Sequence, residues 1–495
     1  MFRPNCGRIC TWTVLRAMSA AASGLALLLV GGCQSYQRRP PDTAGHYAEF
    51  MRRSPESPEV KVFADALRTR ATPAPGETES FDPSDGLTCA EAEVVALVFN
   101  AELRLARLRA GVTLATAETA GAWEDPTIGV DLSRIIQGTP EPWKVFSSVG
   151  LTLPISGRLE VEKQRAGAEH AAELARVAQQ EWAVRMAVRR AWCEWSSVQA
   201  HLAVTREFLA RVDQVLALVD RMEQAGELAR TEARLFRIER ATNNLELRTL
   251  ESRARQAGLR LRQLMGLPPD AQTDLRAGAL GPARASGTPG AGVGTDAETL
   301  ARRSPAMLVA QADYEAAERT LELEIRGQYP DLQIGPGYGR EDGQDQVLLG
   351  LSVPIPVLNA NRRAIAEARA QRELASAAVQ TSLEQVIAAV RAAEVNLDAA
   401  ARQRQAWESE VVPLTDAQYD DATQVARLGE VNALVLLESL TRRQEAKVGL
   451  VQAARDEALA VIDLEELLGP ELPAPPGPAG PTQAPPAPGA TPSAR

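Results

Sequence analysis

The sequence predicts a mainly α-helical protein with a small β part, built from two tandem helix–β-hairpin–helix repeats. Three observations predict this fold class. Apolar residues recur at every seventh position over long segments, four short segments alternate apolar and polar residues, and several motifs occur twice in the same order. The chain is rich in Ala, Leu, Arg, Glu and Gln and only 4% aromatic, which favours long helices over a thick mixed core.

Duplicated motifs define the repeat. The Leu-Met-Gly motif that ends at Gly266 recurs as Leu-Leu-Gly ending at Gly469, and Gly226 with its following Glu recurs at Gly429. Both glycine pairs are 203 residues apart, and the segment 149–155 is also matched in the second half. Several matches in one order indicate a duplication rather than chance similarity among Ala/Leu-rich helices.

Heptads predict the long helices. Apolar residues recur every seventh position from Val184 to Val219, with one break at a threonine, and the second half repeats the pattern. A repeat sustained this long predicts a coiled-coil seam. A helix from Arg158 to Ala225 would span about 100 Å, far more than a compact globular domain allows. We expect Pro413 to bend the second copy, because proline removes one helical hydrogen bond.

Alternation predicts two β-hairpins. In segment 128–132, Ile, Val and Leu alternate with Gly and Asp, and 145–153, 332–338 and 347–353 follow the same pattern. Such strands fit an outer-membrane β-barrel, or equally a soluble hairpin with one buried face. The context favours the membrane, because helices about 100 Å long leave no evident soluble core for four strands.

Four strands cannot close a barrel. An open sheet edge in lipid leaves backbone groups unpaired at several kcal/mol each, so membrane insertion requires more than one copy. Two copies give eight strands around an interior filled by side chains, and three copies give twelve strands with room for a channel. A conduit therefore prefers the trimer.

The N-terminus resembles a bacterial lipoprotein signal. Arg3, Arg8 and Arg16 precede an apolar stretch at 17–30 that is too short for a comfortable membrane span, and small residues then lead to Cys33. We expect lipid attachment at Cys33 and an outer-membrane location, the alternative being an ordinary secretory signal that contains a cysteine. The predicted domains are a signal peptide at 1–32, a lipidated extended lead at 33–87, repeats at 88–267 and 298–469, an inter-repeat linker at 268–297, and a disordered tail at 470–495.

Charge and residue types exclude several functions. Loss of the signal changes the formal charge from −10 to −13, which argues against nucleic acid as a partner. Cys89 and Cys193 fall in helical patterns and are expected as buried thiols, with a disulfide left open. His46, His170 and His201 have no ligand spacing. We therefore predict no metal site, no cofactor and no enzyme.

The lipoprotein signal, the duplication, the strand ends GLTLPI and GLSVPIP, and the helix ends LMG and LLG resemble the TolC-type outer-membrane efflux proteins over nearly all of 88–469. The segments 328–332 and 359–363 resemble the heavy-metal efflux (CzcC-like) branch. The resemblance implies a homotrimer whose long helices form an α-barrel and whose strands form a 12-stranded transmembrane β-barrel. It also implies a periplasmic adaptor (membrane fusion) protein and an inner-membrane efflux pump as partners, with no catalysis by this chain.

The resemblance also implies site residues. Gly226, Glu227, Gly429 and Glu430 mark the helix turns furthest from the hairpins, where the adaptor would bind; a plain helix-ending role explains the glycines alone. Glu438 lies nine residues after Gly429, where the family carries an acid, usually Asp, that points into the periplasmic gate. A solvated helix-face glutamate is the alternative. A rival function is a non-conducting structural coiled-coil lipoprotein that spans the periplasm, which would leave the amphipathic strands unexplained.

Overall fold

The computed structural model describes residues 36–70, 81–134, 136, 143–278, 296–341, 344–427 and 433–470. It divides into two units, 1–52 and 53–495, and each is described by itself. The predicted signal peptide, Cys33, most of the inter-repeat linker and the tail after Pro470 lie outside the described residues. Over the described ranges, no helix combines the length and the apolar content needed to cross a membrane.

The segment before the first repeat differs from the extended lead expected at 33–87. In the first unit, helix α1 spans Thr43–Met51, and the Asp42 side chain accepts a hydrogen bond from the Gly45 N–H at 2.8 Å. The second unit begins with α2, Pro58–Arg70, whose Val60 is fully buried among apolar residues of the first repeat. Capping and burial order this segment, although its sequence has little helical periodicity.

The first repeat follows the predicted order. Thr88 and Glu91 form the predicted capping box at the start of α3. The long helix is continuous over 68 residues with the predicted ends, Arg158 and Ala225. The elements are α3 Cys89–Phe99, α4 Ala101–Thr119, β1 Thr127–Arg134, β2 Trp143–Leu153, α5 Arg158–Ala225 and α6 Arg230–Met265.

The second repeat has the same order, with one interruption. Its elements are α7 Ala297–Arg303, α8 Pro305–Arg326, β3 Leu332–Glu341, β4 Gln344–Ser352, α9 Arg362–Ala406, a π-helical turn Trp407–Val411, α10 Val412–Arg427 and α11 Ala433–Leu468. The mainly helical fold with four strands is therefore confirmed.

Equivalent positions show where the repeats differ in length. Buried Leu103 and Met307 are 204 residues apart, and buried Val184 and Val386 are 202 apart. Beyond the π-turn the spacing becomes 203, as in the motifs that first revealed the repeat. The π-turn therefore holds one residue that α5 lacks.

The π-turn also modifies the prediction for Pro413. A π-helical turn precedes the proline, and the Val412 N–H donates to the Trp407 carbonyl, five residues back. This wider turn is where the helix changes its hydrogen-bond pattern next to a residue that cannot donate. The Trp407 ring lies over Gly449 of α11, where an added Cβ would be 2.8 Å from a ring atom.

Helix-ending glycines occupy the same position in both repeats. Gly266 has a φ of +71°, and a Cβ there would lie 2.2 Å from the carbonyl oxygen of Phe99. Gly469 has a φ of +76°, and a Cβ there would lie 2.2 Å from the carbonyl oxygen of Arg303. Each glycine thus lets the last helix of its repeat end against the junction of the first two helices.

The strands form one antiparallel sheet in the order β1-β2-β3-β4. The β2–β3 pairing joins the two repeats, with Leu153 opposite Leu332 and Leu151 opposite Ile334. Among the described strands, β1 pairs only with β2 and β4 only with β3. Each end of the sheet therefore has an edge that pairs with nothing in the described chain.

Helix α5 contacts helices of the second repeat. Its Met186 and Cys193 pack against Ile462 of α11 in one buried cluster. Its Arg176 forms an ion pair with Asp313 of α8. The first repeat is therefore joined to the second through α5 as well as through the sheet.

Candidate functional site

The four-stranded sheet has one exposed apolar face. The strand register places Ile128 opposite Val149 and Leu132 opposite Val145, so these side chains share a face. On the other hairpin, Tyr338 lies opposite Val347 on this same face. The exposed fractions are 61% for Ile128, 64% for Leu132 and 84% for Val347. An exposed face with this many large apolar side chains in a single chain marks a surface that needs a non-aqueous neighbour.

The opposite face of the sheet is polar and rich in glycine. Lys144 and Glu341 form an ion pair across β2 and β3 on this face. The Phe146 ring covers Gly339, where an added Cβ would lie 2.0 Å from a ring atom. Small residues on one face and branched apolar residues on the other suit a sheet that curves with the glycines inside. The remaining glycines of the face are Gly129, Gly150, Gly335, Gly337 and Gly350.

The turn between α5 and α6 forms the predicted tip of the first repeat. Gly226 has a φ of +78°, and the Glu227 N–H donates to the Met222 carbonyl at 2.9 Å, which closes a Schellman-type end. An added Cβ at Gly226 would meet no atom within 4 Å, so this glycine is required by conformation and not by crowding. Glu227 is exposed. The equivalent Gly429 and Glu430 lie outside the described residues.

Glu438 lies near the start of α11 with its side chain exposed. Its carboxylate accepts a hydrogen bond from Nε of Arg442 at 2.8 Å, one helical turn further along. Arg442 also pairs with Glu445 at 3.1 Å. In the single chain, therefore, a neighbouring cation partly balances the charge of Glu438. This carboxylate borders a groove with the exposed apolar residues Leu235, Ile238, Leu434 and Val435.

A cluster of charged residues surrounds Tyr419 and joins α5 of the first repeat to α10 and α11 of the second. The guanidinium carbon of Arg211 lies 5.4 Å from the Tyr419 ring centroid, and that of Arg443 lies 5.0 Å from it. Arg443 also forms an ion pair with Asp416, and the Glu207 carboxylate pairs with Lys447 of α11 at 3.1 Å. Two guanidinium groups on one ring connect α5, α10 and α11 through cation–π attraction.

Sequence reasoning missed this cluster. Arg211 and Tyr419 are 208 residues apart, and no local motif links them. The duplication gave one indication of it. Tyr419 lies 203 residues after Leu216, so an aromatic residue with a hydroxyl group replaces an aliphatic core residue at the equivalent position.

Neither the thiols nor His170 and His201 form a metal-binding group in the described part of the chain. Cys89 and Cys193 are free, and burial raises their pKa values to about 12 and about 11. His170 Nδ1 lies 3.1 Å from the Thr113 hydroxyl, and burial lowers the pKa of His201, which lies 3.3 Å from Glu246. Within the described ranges, no group of three or more His, Cys, Asp or Glu side chains could hold a metal ion.

A model of the outer membrane efflux protein family matches residues 94–267 and 297–470. No curated protein sequence matches the chain.

Solved structures share the fold at low sequence identity. The outer-membrane channel OprN has a TM-score of 0.65 at 16% identity, covering 88% of this chain and 98% of that chain. CusC has a TM-score of 0.63 at 16% identity, covering 88% and 99%. The Campylobacter jejuni CmeC outer membrane channel has a TM-score of 0.60 at 12% identity, covering 88% and 94%. At these identities the likeness shows the fold.

Proposed function

We infer the function from one premise: the chain belongs to the outer membrane efflux protein family. It is accordingly an outer-membrane efflux channel protein and not an enzyme. We propose that it is the channel subunit of a tripartite efflux system. It would receive metal ions or small toxic compounds from an inner-membrane pump through a periplasmic adaptor and release them outside the cell.

The exposed apolar face of the sheet carries the proposal. Side chains such as Val347 and Leu349, 84% and 69% exposed, are favourable against lipid and costly against water. The polar, glycine-rich face would then line the passage. A barrel of four strands is too small, and the edges of β1 and β4, which pair with nothing in the described chain, would each leave backbone groups unpaired in lipid. Three copies joined β4 to β1 give twelve strands and satisfy both edges.

Lipid attachment and the partner contacts are part of the proposal. Acylated Cys33 would hold the chain to outer-membrane lipid. The exposed tip residues Gly226 and Glu227, with their equivalents Gly429 and Glu430, would meet the adaptor. No contact with nucleic acid is proposed, in line with the acidic charge balance.

Glu438 is proposed to line the periplasmic gate. Three carboxylates brought together at a constriction would attract cations and repel anions. The ion pair with Arg442 tempers this effect, because part of the charge is already balanced. In planar-bilayer recordings, Glu438→Ala should reduce cation selectivity. Glu445→Ala, which removes the other partner of the same arginine, serves as the matched control and should change selectivity less.

The proposal is tested on the full-length protein extracted from outer membranes. We expect a complex of three copies that separates on heating, and discrete conductance steps in planar bilayers. The rival function, a structural coiled-coil lipoprotein, predicts a protein that stays in the membrane fraction but never conducts. Intact trimers without conductance would contradict the channel and favour that rival.

The substrate class is tested separately in cells. Deleting the gene should raise sensitivity to divalent metal cations if the resemblance to the heavy-metal branch holds, and sensitivity to organic dyes if it does not. Complementation with the intact gene should restore resistance. Either outcome leaves the channel function in place and assigns its substrate.

A further inference from the structure

The apolar face of the sheet ends, on the side of the hairpin turns, in two arginines and two aromatic residues. Arg134 lies opposite Trp143 in the register of β1 and β2, and Arg340 follows Tyr338 by two residues in β3. Because side chains alternate along a strand, all four share the face of Ile128. Trp143 and Tyr338 are each 54% exposed, and both arginines are exposed. We call these four residues the arginine–aromatic cluster.

The two arginines of the cluster have no ion-pair partner among the described residues. Arg134 lies over the Trp143 ring, with its guanidinium carbon 5.4 Å from the ring centroid. Asp345 is opposite Arg340 in the register, but its carboxylate accepts a hydrogen bond from the Tyr338 hydroxyl. A guanidinium group stacked on a ring keeps its N–H edge free to donate. Both arginines can therefore donate to an anionic ligand.

The polar face of the same sheet balances its cation within the chain. Lys144 is the only lysine or arginine of the described strands on that face, and it forms an ion pair with Glu341. The cations of the apolar face remain uncompensated. An unbalanced cation beside apolar side chains favours a ligand that carries both an anionic group and apolar chains.

Strand length places the cluster at the level of the lipid headgroups. Strand β2 runs from Trp143 to Leu153, which is about 33 Å along the strand. A tilt of about 40° reduces this length to about 25 Å, which is the height of the apolar band in outer-membrane barrels. An arginine that faces lipid is costly at the middle of the bilayer but costs little near its surface. The arginines thus lie where a charge on this face is tolerated.

We propose that Arg134 and Arg340 bind the phosphate-bearing headgroup of an outer-leaflet lipid. The proposal rests on the proposed function, which puts the apolar face in lipid, and it adds a lipid ligand and the residues that hold it. Guanidinium groups bind phosphate through paired hydrogen bonds, and Trp and Tyr favour the membrane boundary. The Cα atoms of the arginines are two strands and two residues apart, or about 12 Å, so both side chains can contact one headgroup.

Binding of a phosphorylated lipid tests the proposal. The full-length protein is purified in an uncharged detergent and titrated with diphosphoryl lipid A, and bound lipid is counted by native mass spectrometry. Arg134→Gln with Arg340→Gln should weaken binding about ten-fold or more, because two charged groups of donors are lost. Lipid A without its phosphates should bind the unchanged protein as weakly as the intact lipid binds this variant.

Two further variants separate the site from net charge. The matched control is Arg362→Gln with Arg363→Gln, which removes two exposed arginines at the start of α9, beyond the opposite end of the strands. It should leave lipid binding nearly unchanged. Arg134→Lys with Arg340→Lys keeps the charge but loses the paired hydrogen bonds, and should bind with intermediate affinity. Equal weakening in the control would overturn the site, since charge alone would then decide binding.

Competition distinguishes a lipid from a free anion. Inorganic phosphate in large excess should displace little lipid A, because the acyl chains also contact the apolar face. Efficient displacement by inorganic phosphate would assign a simple anion site and overturn the lipid ligand.

Trimer and conductance measurements separate this inference from the proposed function. Diphosphoryl lipid A should raise the temperature at which the trimer of the unchanged protein separates, and should not do so for the double glutamine variant. Both proteins should conduct, because neither arginine faces the passage. Conducting trimers that bind lipid A equally would overturn the lipid site and leave the channel intact. A protein that forms neither trimers nor pores would overturn both.

Discussion

The long helix of the first repeat and its counterpart in the second solve the same problem differently. Helix α5 runs 68 residues without interruption, whereas the second copy passes through a π-turn at 407–411 before it continues as α10. The buried apolar positions of the two helices correspond to one another both before and after the π-turn. The comparison shows that a heptad-patterned helix can accept one extra residue if the helix widens locally, so that the faces beyond it are not rotated.

Single-residue deletions give the largest expected effect. Arg206 and Ser409 are equivalent positions, 203 residues apart. Deleting Arg206 should abolish trimer formation, because every later residue of α5 rotates by about 100° around the helix axis. Deleting Ser409 together with Pro413→Ala should retain the trimer, because the second helix then matches α5 in length. Native gels and helical circular dichroism measure both.

If the two deletions reduce trimer formation equally, the π-turn does not hold an extra residue that the helix can lose. Deletion of Ser409 alone supplies a further check. It should cost about 3 kcal/mol relative to the same deletion with Pro413→Ala, because Pro413 would then interrupt a regular α-helix. Equal melting temperatures for these two variants would remove the proposed link between the proline and the π-turn.

Tyr419 tests the helix segment beyond the π-turn. Tyr419→Ala removes a ring that is 9% exposed and contacts two guanidinium groups, so the unfolding free energy should fall by about 3 kcal/mol. Tyr419→Phe keeps the ring and loses only the 3.4 Å contact with Arg211, and should cost about 1 kcal/mol or less. Thermal melts followed by circular dichroism distinguish the two. A similar loss in both variants would assign the stabilisation to the hydroxyl group instead of the ring.

Gly449 tests the packing at the π-turn itself. Gly449→Leu should destabilise the protein by about 1–3 kcal/mol, because the new side chain meets the Trp407 ring. The equivalent position in the first repeat is Glu246, whose side chain is 43% exposed. Glu246→Leu loses only the 3.3 Å contact with His201 and should therefore cost about 1 kcal/mol or less. An unchanged melting temperature in Gly449→Leu would show that the Trp407 ring can move away from position 449 without destabilising the protein.

Thiol reactivity is the prediction with the smallest expected effect on stability. It compares the burial of equivalent positions in the two repeats. Burial raises the pKa of Cys193 to about 11, so at pH 8 its thiol is almost entirely protonated in the folded state. A cysteine at the equivalent exposed position, in Val395→Cys, should alkylate on the order of 100-fold faster in a dissociated chain. The pKa is raised on folding, so Cys193 labelling should increase as the pH rises towards 11. Mass spectrometry after timed alkylation measures both rates.

Local patterns predicted most of the fold. The ends of α5 followed from a heptad pattern bounded by Gly157 and Gly226, and the capping box followed from Thr88 and Glu91. These signals lie within one or two helical turns, so no tertiary information was needed. The short helices before the first repeat were missed, because the order of α2 depends on burial of Val60 against residues far along the chain.

The candidate site was predictable only in part. The Gly226 tip followed from the motif, and the pairing of Glu438 with Arg442 follows from their four-residue spacing on a helix. The sequence contains one weak indication of the π-turn, because equivalent residues of the two repeats are 202 residues apart before it and 203 apart after it. No sequence pattern indicated the contacts around Tyr419, because they depend on how two helices far apart in the sequence supercoil around each other.

The extra residue at the π-turn has a consequence for the symmetry of the proposed assembly. Three copies of a perfectly duplicated chain would give six equivalent units, and any change in one long helix would be equally favourable in all six. One additional residue in alternate units lowers that six-fold order to three-fold. Three of the long helices would then be regular and the other three would each carry a wider turn beside Trp407, so the two sets would not be interchangeable.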